Sequence, residues 1–294
     1  MRALIKIGIC FLAGLAVCAA EADSSSEALG SGALGAAVPG FGVPALDRGF
    51  QLLYNLDFEQ AHGIFSLWEQ SHPDDPMGPT CDAAGLLFSE FHRLGVLEGQ
   101  FLVDDKKFEN RPKLDPDPAI RARFDAEVQK AQNAARARLV TSPRDENALF
   151  ALTLTNGLEA DYAALIEKRN LASLHYTKES TAWAERTLAV NPDCYDAHIA
   201  SGISKYIIGS MAAPVRWLVR LGGVSGDKEA GIKELKVVAS RGHYLAPFAN
   251  ILLAIAYVRD HDNRRAKELL ASLRDQFPAN PLFAKEIARL DSGR

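Results

Sequence analysis

The feature that most constrains the fold is a pattern of small and large side chains, 34 residues long, near the C-terminus. Counted from Pro247, small residues take the eighth and twentieth places and large residues take the eleventh and twenty-fourth. They are Ala254, Ala266, Tyr257 and Leu270. Small residues let two antiparallel helices approach closely, and the large ones fill the remaining space. The pattern therefore predicts a helical hairpin over residues 247–280.

A second copy of the pattern covers residues 42–75. Gly49 takes the small place on the first helix, and Ala61 and Phe65 take the matching places on the second. Asp57 follows the first helix and is predicted to cap the second, because its carboxylate can accept a free backbone amide there. Similar units therefore stand at both ends of the same stretch of chain.

Both copies resemble the tetratricopeptide repeat at nearly every diagnostic place. The resemblance implies an all-α solenoid of helical hairpins. Such stacks curve, and their concave face presents the first helix of each hairpin, which suits an extended peptide or a partner helix. The alternative is an all-helical bundle without true repeats.

The middle of the chain is helical but less regular. Helices are predicted over 118–140 and 171–189, each closed by a proline, and new helices from Asp145 and Tyr195. A loop with at most a short helix is expected around residues 98–117, and a polar cap helix over 281–290. No alternation of period two persists in the sequence. We expect four to five hairpins with insertions and a C-terminal cap helix.

The N-terminus carries an export signal. Residues 1–22 combine a basic start, an apolar run and a small-residue exit, as in a secretory signal peptide. Residues 23–40 are rich in Ser, Gly and Ala and are predicted to be a flexible leader before a helical domain over 41–294. Two alternatives remain open: an uncleaved membrane anchor, and a lipoprotein tether through Cys18. The sequence thus predicts a periplasmic or secreted protein.

Charge and cysteine content narrow the function classes. The 294-residue chain has a formal net charge of −4, which disfavours nonspecific nucleic-acid binding because that needs clustered Lys and Arg. An exported chain would retain Cys81 and Cys194, which lie 113 positions apart. Two separate buried thiols are expected, with a disulfide as the alternative.

Residues 206–226 depart from the repeat pattern and form an insertion. A helix is predicted over 212–221, nearly apolar except for Arg216 and Arg220, and Asp227 is predicted to cap the helix that follows. We expect Trp217 and Leu221 to be buried against the repeats. In the alternative reading, the segment lies on a membrane or lines a groove for an apolar ligand.

A more specific resemblance covers residues 208–239. Within them, Arg-Leu-Gly-Gly at 220–223 and Ser-Gly-Asp-Lys-Glu-Ala-Gly at 225–231 precede an amphipathic helix. This order is similar to that in the inclusion-body clearance protein and tetratricopeptide repeat domain 39-like family. The resemblance implies a helical-repeat fold with an inserted hydrophobic hairpin, and it brings no catalytic residues with it.

Motifs for chemistry are missing from the sequence. The seven histidines are scattered, and Cys194 with His198 forms at most half a metal site. Gly226, Asp227 and Lys228 do not fit a phosphate-binding loop, since the lysine does not follow the glycine directly. The sequence predicts no catalytic residue, metal or cofactor. It favours a protein-interaction scaffold, with a carrier or sensor for an apolar ligand near residues 212–221 as the alternative.

Overall fold

The computed structural model describes residues 43–98, 114–221 and 223–292. These residues form twelve α-helices and no strand. The helices are α1 Pro44–Tyr54, α2 Phe58–Ser71, α3 Met77–Arg93, α4 Pro118–Thr141, α5 Glu146–Asp161, α6 Asn170–Val190, α7 His198–Gly209, α8 Ala213–Leu221, α9 Lys228–Arg241, α10 Ala246–Arg259, α11 Asn263–Gln276 and α12 Pro281–Asp291. A π-helical turn at Tyr162–Ile166 and a 3-10 turn at Tyr195–Ala197 connect neighbouring helices. The expected signal peptide, the leader and most of the expected 98–117 loop lie outside the described residues.

Side-chain caps start half of these helices. A capping Asp or Asn accepts a backbone amide of the first turn of α2, α4, α5, α9, α11 and α12. Asp57 and Asp227 cap α2 and α9, as the sequence predicts. Each cap satisfies a donor that the helix itself leaves unpaired.

The helices pack as five antiparallel hairpins followed by the cap helix α12. The hairpins are α1–α2, α3–α4, α5–α6, α7–α9 and α10–α11. This all-α helical-hairpin solenoid confirms the predicted fold class. The cap helix buries Phe283 and Leu290 against the last hairpin and exposes the opposite face.

The residues expected to pack within the repeats lie at helix–helix contacts. Position 49 has room only for glycine, because a Cβ there would lie 2.1 Å from Cε1 of the fully buried Phe65. Ala61 is also fully buried in the same apolar cluster. In the last hairpin, Ala254 and Ala266 are buried together, with the half-buried Tyr257 against them.

The inner helices of the stack lie close together and are largely withdrawn from solvent. No residue of α5, α7 or α10 is exposed, and none of α3 is exposed up to Phe91. Inner helices meet across the centre, where the rings of Phe88 and Phe248 lie 5.6 Å apart. Side chains from α1, α3, α5 and α10 share one apolar cluster. The first helices of these hairpins therefore pack on each other within the described residues.

The first and last hairpins touch, and this contact closes the stack. Tyr244, in the turn before α10, stacks on Phe50 with ring centroids 4.7 Å apart. The hydroxyl of Tyr54 donates to the carbonyl of Tyr244 at 2.9 Å. Beyond α11, the side chain of Asn280 donates to the carbonyl of Tyr54 at 2.9 Å. These contacts join residues about 200 positions apart in the sequence.

Candidate interaction surface

The segment that carries α8 leaves the stack and returns to it at one point, where its two ends touch. We call this point the neck. The two ends, Gly209 and Gly226, are in backbone contact: a Cβ on Gly226 would lie 2.2 Å from the amide nitrogen of Gly209. The amide of Asp227 donates to the carbonyl of Lys205 at 3.1 Å. Because α7 and α9 pack directly on each other, residues 210–225 are an excursion from one hairpin. We call this segment the α8 excursion.

Glycine at two further places draws α9 against α7. A Cβ on Gly231 would lie 2.4 Å from the amide nitrogen of Tyr206, and one on Gly202 would lie 3.2 Å from the side chain of Leu235. Only a residue without a side chain permits backbone approach of this kind. The glycines at 226 and 231 therefore have a packing role.

The α8 excursion rests on the protein through four apolar side chains: Val215 and Val219 lie on α8, and Met211 and Val224 lie on either side of it. Val219 is buried and Val215 is partly buried, and both pack in a small apolar cluster with Ile208 and Met211. Arg216 donates to the carbonyl of Gly209 at 3.0 Å. The contact is small, so most of α8 faces away from the stack.

Trp217 is 61% exposed and Leu221 is 68% exposed, with Leu218 at 38%. The expectation that Trp217 is buried against the repeats is therefore wrong, although the helix itself forms as expected. Residues 215 and 219 occupy one side of the helix, and Trp217 lies on the opposite side because each residue advances by about 100°. Only one side of α8 can contact the stack.

The α8 excursion carries positive charge only. Arg216 and Arg220 stand four residues apart on one flank of α8 and are exposed. Residues 197–226 contain no Asp or Glu. Asp227, the next acid along the chain, accepts an amide in the first turn of α9. Across 43–98, 114–221 and 223–292, neither arginine forms an ion pair.

The two cysteines are free and buried in the structure. Burial raises the pKa of both thiols, most of all through desolvation, with added repulsion from nearby carboxylates. A buried thiol with a raised pKa is a poor nucleophile. Cys194 and His198 are not joined by further metal-ligating groups in the described part of the chain.

One polar cluster was missed from the sequence because its members come from three helices. Carboxylates of Glu69, Asp82 and Glu127 approach within 4.8 Å of one another. The ammonium of Lys130 pairs with Glu69 and lies 3.7 Å from Glu127, and His62 lies 2.6 Å from Asp82. Desolvation and the neighbouring Glu69 raise the pKa of Glu127, whereas Lys130 opposes this shift. The protein thus supplies its own cation to the cluster.

A second missed residue is the buried Asp196. Its carboxylate accepts three backbone amides, from His243 at 3.0 Å, Tyr244 at 2.9 Å and Leu245 at 3.1 Å. Burial raises the pKa of Asp196, and the three amides oppose this shift. The residue fixes the turn that carries Tyr244 to α1. The sequence gives no signal for it, because its partners lie 47 to 49 positions away.

No helix in the described ranges is long and apolar enough to cross a bilayer. No family model matches the chain, and no curated protein is similar to it. Among solved structures, a protein described as a thermophilic TPR protein in Thermus thermophilus is similar at 17% identity and a TM-score of 0.43. The alignment covers 84% of this chain and 96% of that one. The fold class stated above depends on the helices and hairpins of the protein itself.

Proposed function

We propose that the protein is an exported, non-enzymatic scaffold that binds a protein partner on the outer layer of its helical stack. The observation that carries the proposal is the contrast between the two layers. No residue of the inner helices α5, α7 and α10 is exposed, although many are half-buried, whereas the outer helices keep one long side exposed. A rigid core that supports a polar surface suits recognition more than catalysis.

The outer helices α4 and α6 offer the longest continuous surface. They have 24 and 21 residues and bury only four side chains each. At 1.5 Å per residue they are about 36 and 32 Å long. A partner would therefore bind along the outside of the stack, and not within the concave face that the repeat pattern suggests.

Two sets of reactive side chains in the described ranges are held in ways that favour a scaffold. Both thiols are buried, and the carboxylate cluster at Glu69 is paired with Lys130 and His62. The carrier hypothesis receives no support from α8, whose large apolar side chains face solvent and enclose nothing.

The proposal also includes export of the protein and its resemblance to the inclusion-body clearance family. The basic start and the apolar run of residues 1–22 support export. The segment at 208–239 resembles the inclusion-body clearance family. Its glycines at 226 and 231 let α9 approach α7 closely, and this packing is a physical reason for glycine at those two places. N-terminal sequencing of the exported protein tests the first point: a mature start near Glu21 is expected, and a chain that retains Arg2 would contradict it.

The binding proposal is tested by crosslinking and pull-down from envelope extracts, with the chain that starts at Glu21 as bait. We expect a specific protein whose capture falls when Arg136→Glu and Glu185→Lys are introduced on α4 and α6. Arg264→Glu on α11 is the matched control, since it also reverses an exposed charge. Equal capture by all variants would place the partner elsewhere, and no specific capture would refute the proposal.

A further inference from the structure

We propose that α8 docks the protein on an anionic lipid surface, with Trp217, Leu218 and Leu221 entering the interface. This inference goes beyond the protein-binding role and does not depend on it. A partner on the outer layer and a membrane under α8 would use different surfaces.

The three sides of α8 have distinct chemistry. Val215 and Val219 hold the helix on the stack, while Trp217 and Leu221 lie on the far side. The arginines occupy the flank between these two sides, in agreement with a rotation of about 100° per residue. An apolar outer side with a basic flank is the arrangement of a helix that lies in a membrane interface, with its arginines at the level of the lipid phosphates.

The positive charge of α8 indicates which kind of surface the helix would bind. Arg216 and Arg220 form no ion pair within the described ranges, and residues 197–226 provide no acid to neutralise them. The two arginines flank the exposed apolar patch of Trp217, Leu218 and Leu221, an arrangement that complements an anionic surface.

The exposed apolar side chains of α8 are few. They are Trp217, Leu218 and Leu221, all on one helix of nine residues. A stable protein complex usually buries about 800 Å² per partner, which is more than three side chains provide.

A lipid interface fits the patch better than a folded partner. It needs no complementary shape, and it accepts Trp at the boundary between headgroups and acyl chains. The narrow neck at Gly209 and Gly226 keeps α8 outside the stack, where a flat surface can reach it. Protein partners and a second copy of the chain are the competing occupants.

The test is vesicle binding by the chain that starts at Glu21, which keeps all four apolar clusters of the described residues. We expect it to bind phosphatidylglycerol-containing vesicles and not pure phosphatidylcholine vesicles. Trp217→Ser with Leu221→Ser should lower binding about tenfold or more, because both side chains would leave the apolar phase. Arg216→Glu with Arg220→Glu should lower it similarly, at about fivefold per charge.

Two controls make the result specific. Leu67→Ser with Val140→Ser removes exposed apolar side chains from α2 and α4 and should leave vesicle binding unchanged. In the Trp68→Phe, Trp183→Phe variant, the emission of Trp217 should shift to shorter wavelength with anionic vesicles, and brominated lipid should quench it. Circular dichroism and thermal melts verify that each variant is folded.

Several outcomes would overturn the proposal. Absence of binding to anionic vesicles would do so, as would equal binding by the α8 variants. A concentration-dependent dimer that Trp217→Ser with Leu221→Ser dissolves would identify a second copy as the occupant. A photo-crosslinker at Leu218 that labels a protein in cells, with no transfer to lipid, would identify a protein partner.

Discussion

Replacement of Asp196 by Ala is expected to be among the most destabilising single changes in the protein. The carboxylate accepts the amides of His243, Tyr244 and Leu245, and its removal leaves these donors unpaired. Each buried donor without a partner costs about 1–3 kcal/mol. The residues at 244 and 245 are buried, whereas His243 is exposed and its amide can regain water. The expected loss in free energy of unfolding is therefore roughly 3–5 kcal/mol.

The change also reaches the first hairpin. The turn at 243–245 carries Tyr244, which stacks on Phe50 and accepts a hydrogen bond from Tyr54. The variant should therefore loosen the contact between the first and last hairpins. For a domain of this size, 1 kcal/mol shifts the melting temperature by about 2–4 °C, so a fall of roughly 6–20 °C is expected.

Urea unfolding followed by circular dichroism measures the loss, and hydrogen exchange at residues 243–245 locates it. Asp196→Asn keeps one acceptor oxygen and should lose less stability than Asp196→Ala. Asp193→Ala, an exposed site three residues earlier, is the control and should change stability by less than about 1 kcal/mol. The reasoning fails if Asp196→Ala loses no more than the control, or if exchange at the three amides is unchanged.

Three further changes have expected outcomes. Gly49→Ala should lower the free energy of unfolding in urea by about 1–3 kcal/mol, because its Cβ would meet the ring of Phe65. Adding Phe65→Leu should restore part of the loss, and additive effects of the two changes would argue against this contact. Gly226→Ala should be at least as costly, since the Cβ would meet backbone atoms of Gly209 that cannot rotate away; an unchanged midpoint would show that the neck can open. Burial raises the pKa of Asp161 to about 7. Because the protonated form is favoured in the folded state, the free energy of unfolding should fall as pH rises from about 4 to about 7. The side chain is only partly buried, so about 4 kcal/mol is the upper limit of this fall. Asp161→Asn should remove that slope and be more stable than the wild type at pH 8, and parallel pH profiles for the two proteins would contradict it.

Much of the local structure could be predicted because it depends on neighbouring residues. The spacing of Gly49, Ala61 and Phe65 follows the helical period, so it indicates which sides of two consecutive helices meet. Asp57 and Asp227 act on amides within one turn of themselves. The prolines that follow α2, α4, α6 and α11 were equally readable, since a proline restricts only the residue before it and its own backbone.

The surface of α8 shows where such reasoning stops. An apolar helix has the same sequence pattern whether a neighbour covers it or not, and the pattern led us to expect a buried Trp217. The contact at Gly209 and Gly226 fixes how the excursion leaves the stack, and it turns only Val215 and Val219 toward the protein. Which side of a short helix is covered depends on that long-range geometry.

From the sequence alone, the class of fold, the register of the two terminal hairpins and the caps at Asp57 and Asp227 could be predicted, because the interactions that set them lie within about 30 residues of each other. Only the tertiary structure decided that Asp196 ties a turn 47 positions away and that the first hairpin meets the last. These contacts join segments that no local period relates. They form because the curvature of the stack, summed over five hairpins, brings its two ends together, and curvature depends on every packing contact at once.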